Sequence, residues 1–279
     1  MRYINCNGNI YNEYETLLPV GNRGFKYGDG FFETIAMFNR KMPLLDFHWS
    51  RVEFTAEVLS TVLPRRLDME RFESMVLDLA SVNDAVKNAR VRLQFFRKGG
   101  GLYLPDEDEL GYVISIDKLD NDCFTEGAGL TAGIREDCYK PVSMVSDLKT
   151  TGCLSYIMAA QFAKAEGWDE IIMLNHYTQI CEAIHSNVIV VKNDKLITPD
   201  LDSGCVNGVM RTYLMAMLDA GLEERPIEMQ ELLNADEILL TNAVRGVQWV
   251  KVLGSRTYTN KKAVELTALL NKSLTETAD

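Results

Sequence analysis

The sequence predicts a mixed α+β fold in two domains, and three observations carry that prediction. Strand-like and helix-like apolar patterns mix in both halves without the regular βαβ rhythm of a doubly wound sheet. The chain has 279 residues, 47% hydrophobic and 25% charged, which is enough for two modest cores. Between the halves, residues 118–129 form a polar, acidic run with two glycines that reads as a linker. The expected division is an N-terminal α/β domain over 1–117, the linker 118–129, and a second domain over 130–279.

In the first half, residues 3–6 and 9–11 flank Asn7-Gly8, a pair suited to a tight I′ turn, and read as a hairpin. Gly28-Asp29-Gly30 marks a bend before a β-prone run over 31–38, which Asn39-Arg40-Lys41 closes. Phe47, Val52, Phe54 and Val58 lie near helical spacing and predict a helix over 45–59 with Asp46 as N-cap. Asp68 caps a second helix over 69–79. Residues 89–96 and 111–116 read as strands, with a glycine-rich loop at 97–101.

The second half opens with a strand at 130–134. A helix over 154–166 carries a stripe of Leu154, Ile157, Met158, Gln161 and Phe162, read as its apolar face, and Gly167 stops it. Strands follow near 170–174, 179–181 and 187–192, and Asn193-Asp194 turns into another at 196–198. A helix over about 208–220, a short helix at 231–234, strands at 237–241 and 247–253, and a helix from Lys261 complete the chain.

A net charge of −11 argues against a nucleic-acid partner, which selects for a basic face. The cysteines Cys6, Cys123, Cys138, Cys153, Cys181 and Cys205 form no CxxC pair and no short regular spacing, as expected of reduced thiols in a cytoplasmic protein. The three histidines, His48, His176 and His185, are too dispersed for a metal cluster, and no metal is expected. The start lacks the apolar core of a signal peptide, and no run approaches a membrane span, so no membrane partner is expected. GxGxxG, GxxxxGK[ST] and GxSxG are all absent from the sequence.

The chemistry centres on the stretch from Ser146 to Asn187. Lys149 stands just ahead of the helix at 154–166, and a deprotonated lysine forms Schiff bases with carbonyls. Glu182 could hold a pyridinium nitrogen protonated. The run Ser203-Gly204-Cys205-Val206-Asn207-Gly208-Val209-Met210-Arg211 leads into a helix, whose N-terminus suits a phosphate; alternatively Gly208 only permits a turn. Arg51 could fork onto that phosphate or pair with Glu53 or Glu57 at the surface. After a strand, Thr241-Asn242-Ala243-Val244-Arg245-Gly246 offers a loop of further donors.

Taken in order, RGFKYGDGFFET, HWSR, SDLK, a glutamate before SNxxVV, GVxR and TNAxRG resemble the fold-type IV pyridoxal-phosphate enzymes, the class IV aminotransferase family. The match runs over almost the whole chain. The family includes branched-chain and D-amino-acid aminotransferases and 4-amino-4-deoxychorismate lyases. The resemblance implies that pyridoxal 5′-phosphate is the cofactor and Lys149 its Schiff-base lysine. It implies that Glu182 pairs with the pyridine nitrogen and that Arg51 and the amides of Val209 and Met210, beside Gly208, hold the phosphate. Asn242-Ala243 would close over that phosphate, Val206 would pack on the ring, and Ser186 and Asn187 would support it. Many relatives carry threonines where Met210 and Ala243 stand here.

On the substrate side the resemblance points to Tyr27, Phe32 and Thr34, the last matching a position important to the lyases. For Tyr27 and Phe32 ordinary core packing is the alternative. Arg97 and Arg245 are the cations expected for a substrate carboxylate. The tyrosine that branched-chain enzymes carry after the lysine aligns with Leu154 here. The implied function is amino transfer between an amino acid and a 2-keto acid. Release of 4-aminobenzoate and pyruvate from 4-amino-4-deoxychorismate is the alternative, and a non-catalytic binding relic is a second. Relatives build the site between subunits, which implies a homodimer.

Overall fold

The hairpin of Tyr3–Cys6 (β1) and Asn9–Asn12 (β2) turns through Asn7 and Gly8, both at positive φ (52° and 92°), as the Asn-Gly pair predicts. The structure, a computed structural model, describes residues 2–15 and 17–276. It divides into two compact units: residues up to Cys123 with Lys149–Gly152, and Phe124–Leu148 with the chain from Cys153 onward.

In the first unit a short helix, Arg23–Tyr27 (α1), precedes the strand Gly30–Met37 (β3). The helices Leu45–Val58 (α2) and Met69–Val82 (α3) and the strands Ala89–Arg97 (β4) and Leu110–Lys118 (β5) follow. The strands form an antiparallel sheet in the order β2-β1-β5-β4-β3. Strand alternation gives it two different faces. Phe31, Ile35, Val91, Leu93, Phe95 and Ile114 join Val52, Phe72, Val76 and Leu79 of α2 and α3 in a buried core. Each such side chain contributes roughly 1.5–3 kcal/mol by burial. The opposite face carries Phe32, Thr34, Arg92, Gln94 and Ser115, all half-buried.

Asp68 caps α3 as expected, accepting from the Arg71 amide at 2.8 Å. Asp46 does not cap α2. The cap position is Leu44, without a side-chain bond, and Asp46 lies in the first turn, where its charge suits the helix dipole. The sequence pattern assigns no element to α1. Its five residues are held by the Asn22 side chain at one end and Gly28, at φ 66°, at the other. Beside β3, Phe32 N–H donates to Lys149 O and Thr151 N–H to Gly30 O, both at 3.0 Å, so Lys149–Gly152 joins this unit by backbone pairing.

In the second unit Leu130–Lys140 (β6) leads to the helix Leu154–Glu166 (α4), then Glu170–Asn175 (β7), Ile180–Ala183 (β8), Asn187–Lys192 (β9) and Lys195–Thr198 (β10). Val209–Leu218 (α5), Leu222–Glu224 (β11), Met229–Leu233 (α6), Glu237–Asn242 (β12), Gly246–Leu253 (β13), Arg256–Thr257 (β14) and Lys261–Glu276 (α7) complete it. The sheet runs β11-β10-β9-β12-β13-β6-β7-β8, with β14 beside β13. It is mixed: β13-β6, β6-β7 and β10-β11 pair in parallel. Gly167, at φ 71°, ends α4 as expected, but Leu154, Ile157 and Met158 of its apolar stripe are exposed while Phe162 packs against the core. Its buried residues are Ala159 and Ala163, whose small side chains let the helix lie close on β6 and β7, while Leu154 is 77% exposed.

Candidate active site

Glu182 is the centre of the second unit's polar core. It lies on β8, paired across from Met173, and its side chain is 4% exposed. Three donors meet it. Lys140 Nζ at the end of β6 and the Tyr156 hydroxyl on α4 both reach Oε1 at 2.5 Å, and the Val206 amide reaches Oε2 at 3.0 Å. Burial and the Glu182 charge push the Tyr156 phenol far up from its ordinary range, so it stays a donor. Burial likewise pushes the neighbouring Cys205 thiol up to about 12 and Cys181 higher still, which keeps both inert.

From Val206 the chain turns into α5. The cap residue Gly208 supplies no side-chain acceptor, and the first amides of a helix have no intrahelical partner. Asn187, first residue of β9, donates from Nδ2 to Val206 O at 2.8 Å. Its Oδ1 lies where a Cβ on Gly208 would meet it at 1.8 Å. Gly208 has an ordinary φ, so the glycine is required by this close approach and does more than permit a turn. The Asn207 amide donates to Asp147 O at 2.8 Å, tying this turn to the segment that leads to Lys149. Ser186 Oγ accepts from Asn242 Nδ2 at 3.1 Å, and Asn242 Oδ1 accepts the amides of Val244 and Arg245. Ala243 is half-buried in the same hairpin loop, and the Arg245 side chain is exposed at its tip.

In the first unit, Lys149 is half-buried with Nζ 4.8 Å from the Phe32 ring centroid. Arg92 Cζ lies 3.8 Å from the same centroid, and Thr34 pairs across from Arg92. Arg51 is buried, not paired at the surface with Glu53 or Glu57. Its Nε and Nη2 grip Glu33 Oε1 and Oε2 at 2.8 and 2.5 Å, and His48 Nδ1 meets Oε2 at 2.6 Å. Burial alone would raise the Glu33 carboxyl, but Arg51 and His48 outweigh it and hold it at about 2. Burial lowers His48, so its ring is neutral, with Nδ1–H donating to Glu33 and Nε2 left as a buried acceptor with no hydrogen-bond partner among the described residues.

Arg97 and Tyr27 are placed differently from a simple substrate-binding reading. The Arg97 guanidinium donates to Asp29, to Asp108 at 2.7 Å, and to the carbonyls of Leu59 and Ser60. Arg23, also on Asp29, holds the carbonyls of Gly100 and Leu102. These two arginines brace a loop. Tyr27 sits at that loop, its ring 5.8 Å from that of Tyr103. Sequence reasoning did not assign Glu33 or His48, although both lie within quoted motifs, nor Arg92. It also missed Lys140 and Tyr156, which no local pattern marks. A tyrosine does reach this site, through Tyr156 rather than the position of Leu154.

The residues fit a molecule with an anionic tail and a basic ring nitrogen: a helix N-terminus at Gly208 with no side-chain cap for the first, a buried carboxylate with capacity left on Oε2 for the second. Among the described residues no cluster suited to a metal ion occurs. Comparison with known proteins agrees with this chemistry. The amino-transferase class IV family model matches residues 30–253. A D-alanine aminotransferase of Bacillus licheniformis is 26% identical, with 98% of this chain and 97% of that protein covered. The aminodeoxychorismate lyase of Bacillus subtilis is 29% identical, covering 86% and 83%. The branched-chain aminotransferase structure from Thermoproteus uzoniensis superposes with a TM-score of 0.83 at 22% identity, covering 97% and 93%.

Proposed function

Since the chain belongs to the class IV aminotransferases, we propose that it binds pyridoxal 5′-phosphate and moves an amino group between an amino acid and a 2-keto acid. The observation that carries the reading is Glu182, a buried carboxylate fixed by three donors and joined through Val206 to the turn that opens α5 at Gly208. When bound, the cofactor supplies an electron sink that makes the substrate Cα–H acidic. Lys149 anchors it and carries the proton to and from Cα. Glu182 would hold the ring nitrogen, Val206 would pack on the ring, and the Val209 and Met210 amides would take the phosphate; Arg51, whose guanidinium holds Glu33, is assigned to the phosphate by the family resemblance alone. Ser186, Asn187, Asn242 and Ala243 would keep that phosphate site in shape. Arg92, which lies over the Phe32 ring and donates to Gln94 Oε1 at 3.0 and 2.9 Å, is our candidate cation for a substrate carboxylate. The protein acts as a homodimer, which would cover exposed apolar residues such as Phe25, Leu102, Tyr103 and Leu104.

Elimination from 4-amino-4-deoxychorismate is the second reading, supported by Thr34, which matches a position important to the lyases, and by the similarity to the aminodeoxychorismate lyase of Bacillus subtilis. A visible absorbance trace of the loaded protein separates the two. L-leucine, L-glutamate, D-alanine and 4-amino-4-deoxychorismate would be added singly, without a keto-acid acceptor. Lasting bleaching by an amino acid identifies a transferase and its donor. Turnover of the chorismate derivative alone, with the band returning and pyruvate released, identifies the lyase.

A further inference from the structure

We propose that Lys140 and Tyr156 are positioning residues that keep the proton shared by Glu182 and the cofactor's ring nitrogen on the nitrogen. The inference rests on the cofactor reading above. Glu182 Oε1 accepts both Lys140 Nζ and the Tyr156 hydroxyl at 2.5 Å, which uses its two lone pairs. Oε2 accepts the Val206 amide at 3.0 Å and keeps one position for the ring nitrogen. A proton placed there has two homes, as O–H on Glu182 or as N–H on the ring.

Charge decides between them. The Lys140 ammonium sits on the carboxylate, with 8% of its side chain exposed, so little water screens it. Moving the shared proton from carboxylate to nitrogen carries positive charge away from that ammonium. The hydroxyl and amide donors also favour the carboxylate over the acid. A protonated ring is the better electron sink, so the three donors act on the reacting carbon through Glu182.

Lys140 is doubly suited to the task. Its Nζ also donates to Ser146 O at 2.8 Å, within the turn that runs toward Lys149. One ammonium therefore fixes the acid and the approach to the anchoring lysine, and its ion pair withholds Lys140 itself from the cofactor's aldehyde.

The test uses holoenzyme loaded with pyridoxal 5′-phosphate carrying ¹⁵N in the ring, and reads the ring-nitrogen resonance in wild type, K140M, K140R and Y156F. Wild type is expected at the protonated-pyridine position, K140M shifted toward neutral pyridine, K140R restored, and Y156F displaced part of the way. A purely structural ion pair would lower the melting temperature of K140M and leave the resonance unmoved, which would overturn the proposal. A neutral-pyridine resonance in wild type would overturn it equally. If K140M does not fold, Y156F decides: a displaced resonance supports the proposal and an unmoved one refutes it. Wild-type protein with no bound ¹⁵N resonance would refute the cofactor reading itself, a different failure.

Discussion

Replacing Glu33 with glutamine keeps the volume of a side chain that is 2% exposed and removes the charge facing Arg51. Glu33 accepts two bonds from Arg51 and one from His48, so the variant leaves a buried guanidinium without its counter-charge. Breaking a buried pair in this way costs about 3–5 kcal/mol. The acidity of Glu33 gives an independent figure. Its carboxyl falls from an ordinary 4.5 to about 2 because Arg51 and His48 overcome burial, and at about 1.4 kcal/mol per tenfold step that is about 3 kcal/mol. The native carboxyl is the stronger acid, so this stabilisation is complete above pH 4.5 and disappears as the pH falls toward 2. Near pH 3 about 2 kcal/mol of it is gone. His48, lowered by burial, adds to acid sensitivity in the wild type, because the unfolded chain takes up its proton at a higher pH than the native chain does. The assay is pulse-labelling hydrogen exchange across a urea series, read on the peptide covering α2. At pH 7 the variant should unfold about 3 kcal/mol more easily, and the gap should close by more than half at pH 3. A gap under 1 kcal/mol at pH 7, or one independent of pH, would refute the reasoning.

Three other perturbations have distinct signatures. Gly208→Ala places a methyl group 1.8 Å from Asn187 Oδ1 and should weaken pyridoxal 5′-phosphate binding at least tenfold, about 1.4 kcal/mol, in an absorbance titration, with an unchanged circular dichroism spectrum. Arg92→Gln should raise KM roughly tenfold with little change in stability, whereas Arg97→Gln should cost about 3 kcal/mol in urea unfolding through its lost bonds to Asp29 and Asp108. Steady-state kinetics and unfolding on both variants distinguish a substrate cation from a loop brace. Lys149→Ala should abolish turnover, with the melting temperature within a few degrees of wild type; substantial residual turnover would remove Lys149 from its assigned role.

What the sequence made legible was local. Asn7-Gly8 needs positive φ at both residues, Asp68 needs only an amide three residues on, and Gly167 stops a helix by its own conformation. Each is decided within a few residues, so each was predictable. The motifs around Lys149, Glu182 and Gly208 are read from a family resemblance taken in order along the chain, since lysine, glutamate and glycine are each common residue types. Interactions between distant residues were not legible. Lys140 and Glu182 are 42 positions apart, and nothing near Lys140 distinguishes it from a solvated lysine. Arg97 reads as an available cation until Asp29, 68 positions away, is seen to claim it. The mostly outward stripe of α4 misled for a different reason: helical periodicity identifies an apolar face but not whether alanines on another face pack closer.

Borohydride reduction of the protein loaded with pyridoxal 5′-phosphate, followed by peptide mapping, tests the central claim most directly. The account predicts a single stable phosphopyridoxyl adduct on Lys149, with Lys140 unmodified because its ammonium is committed to Glu182. An adduct on Lys140 or another lysine, or none at all, would contradict it.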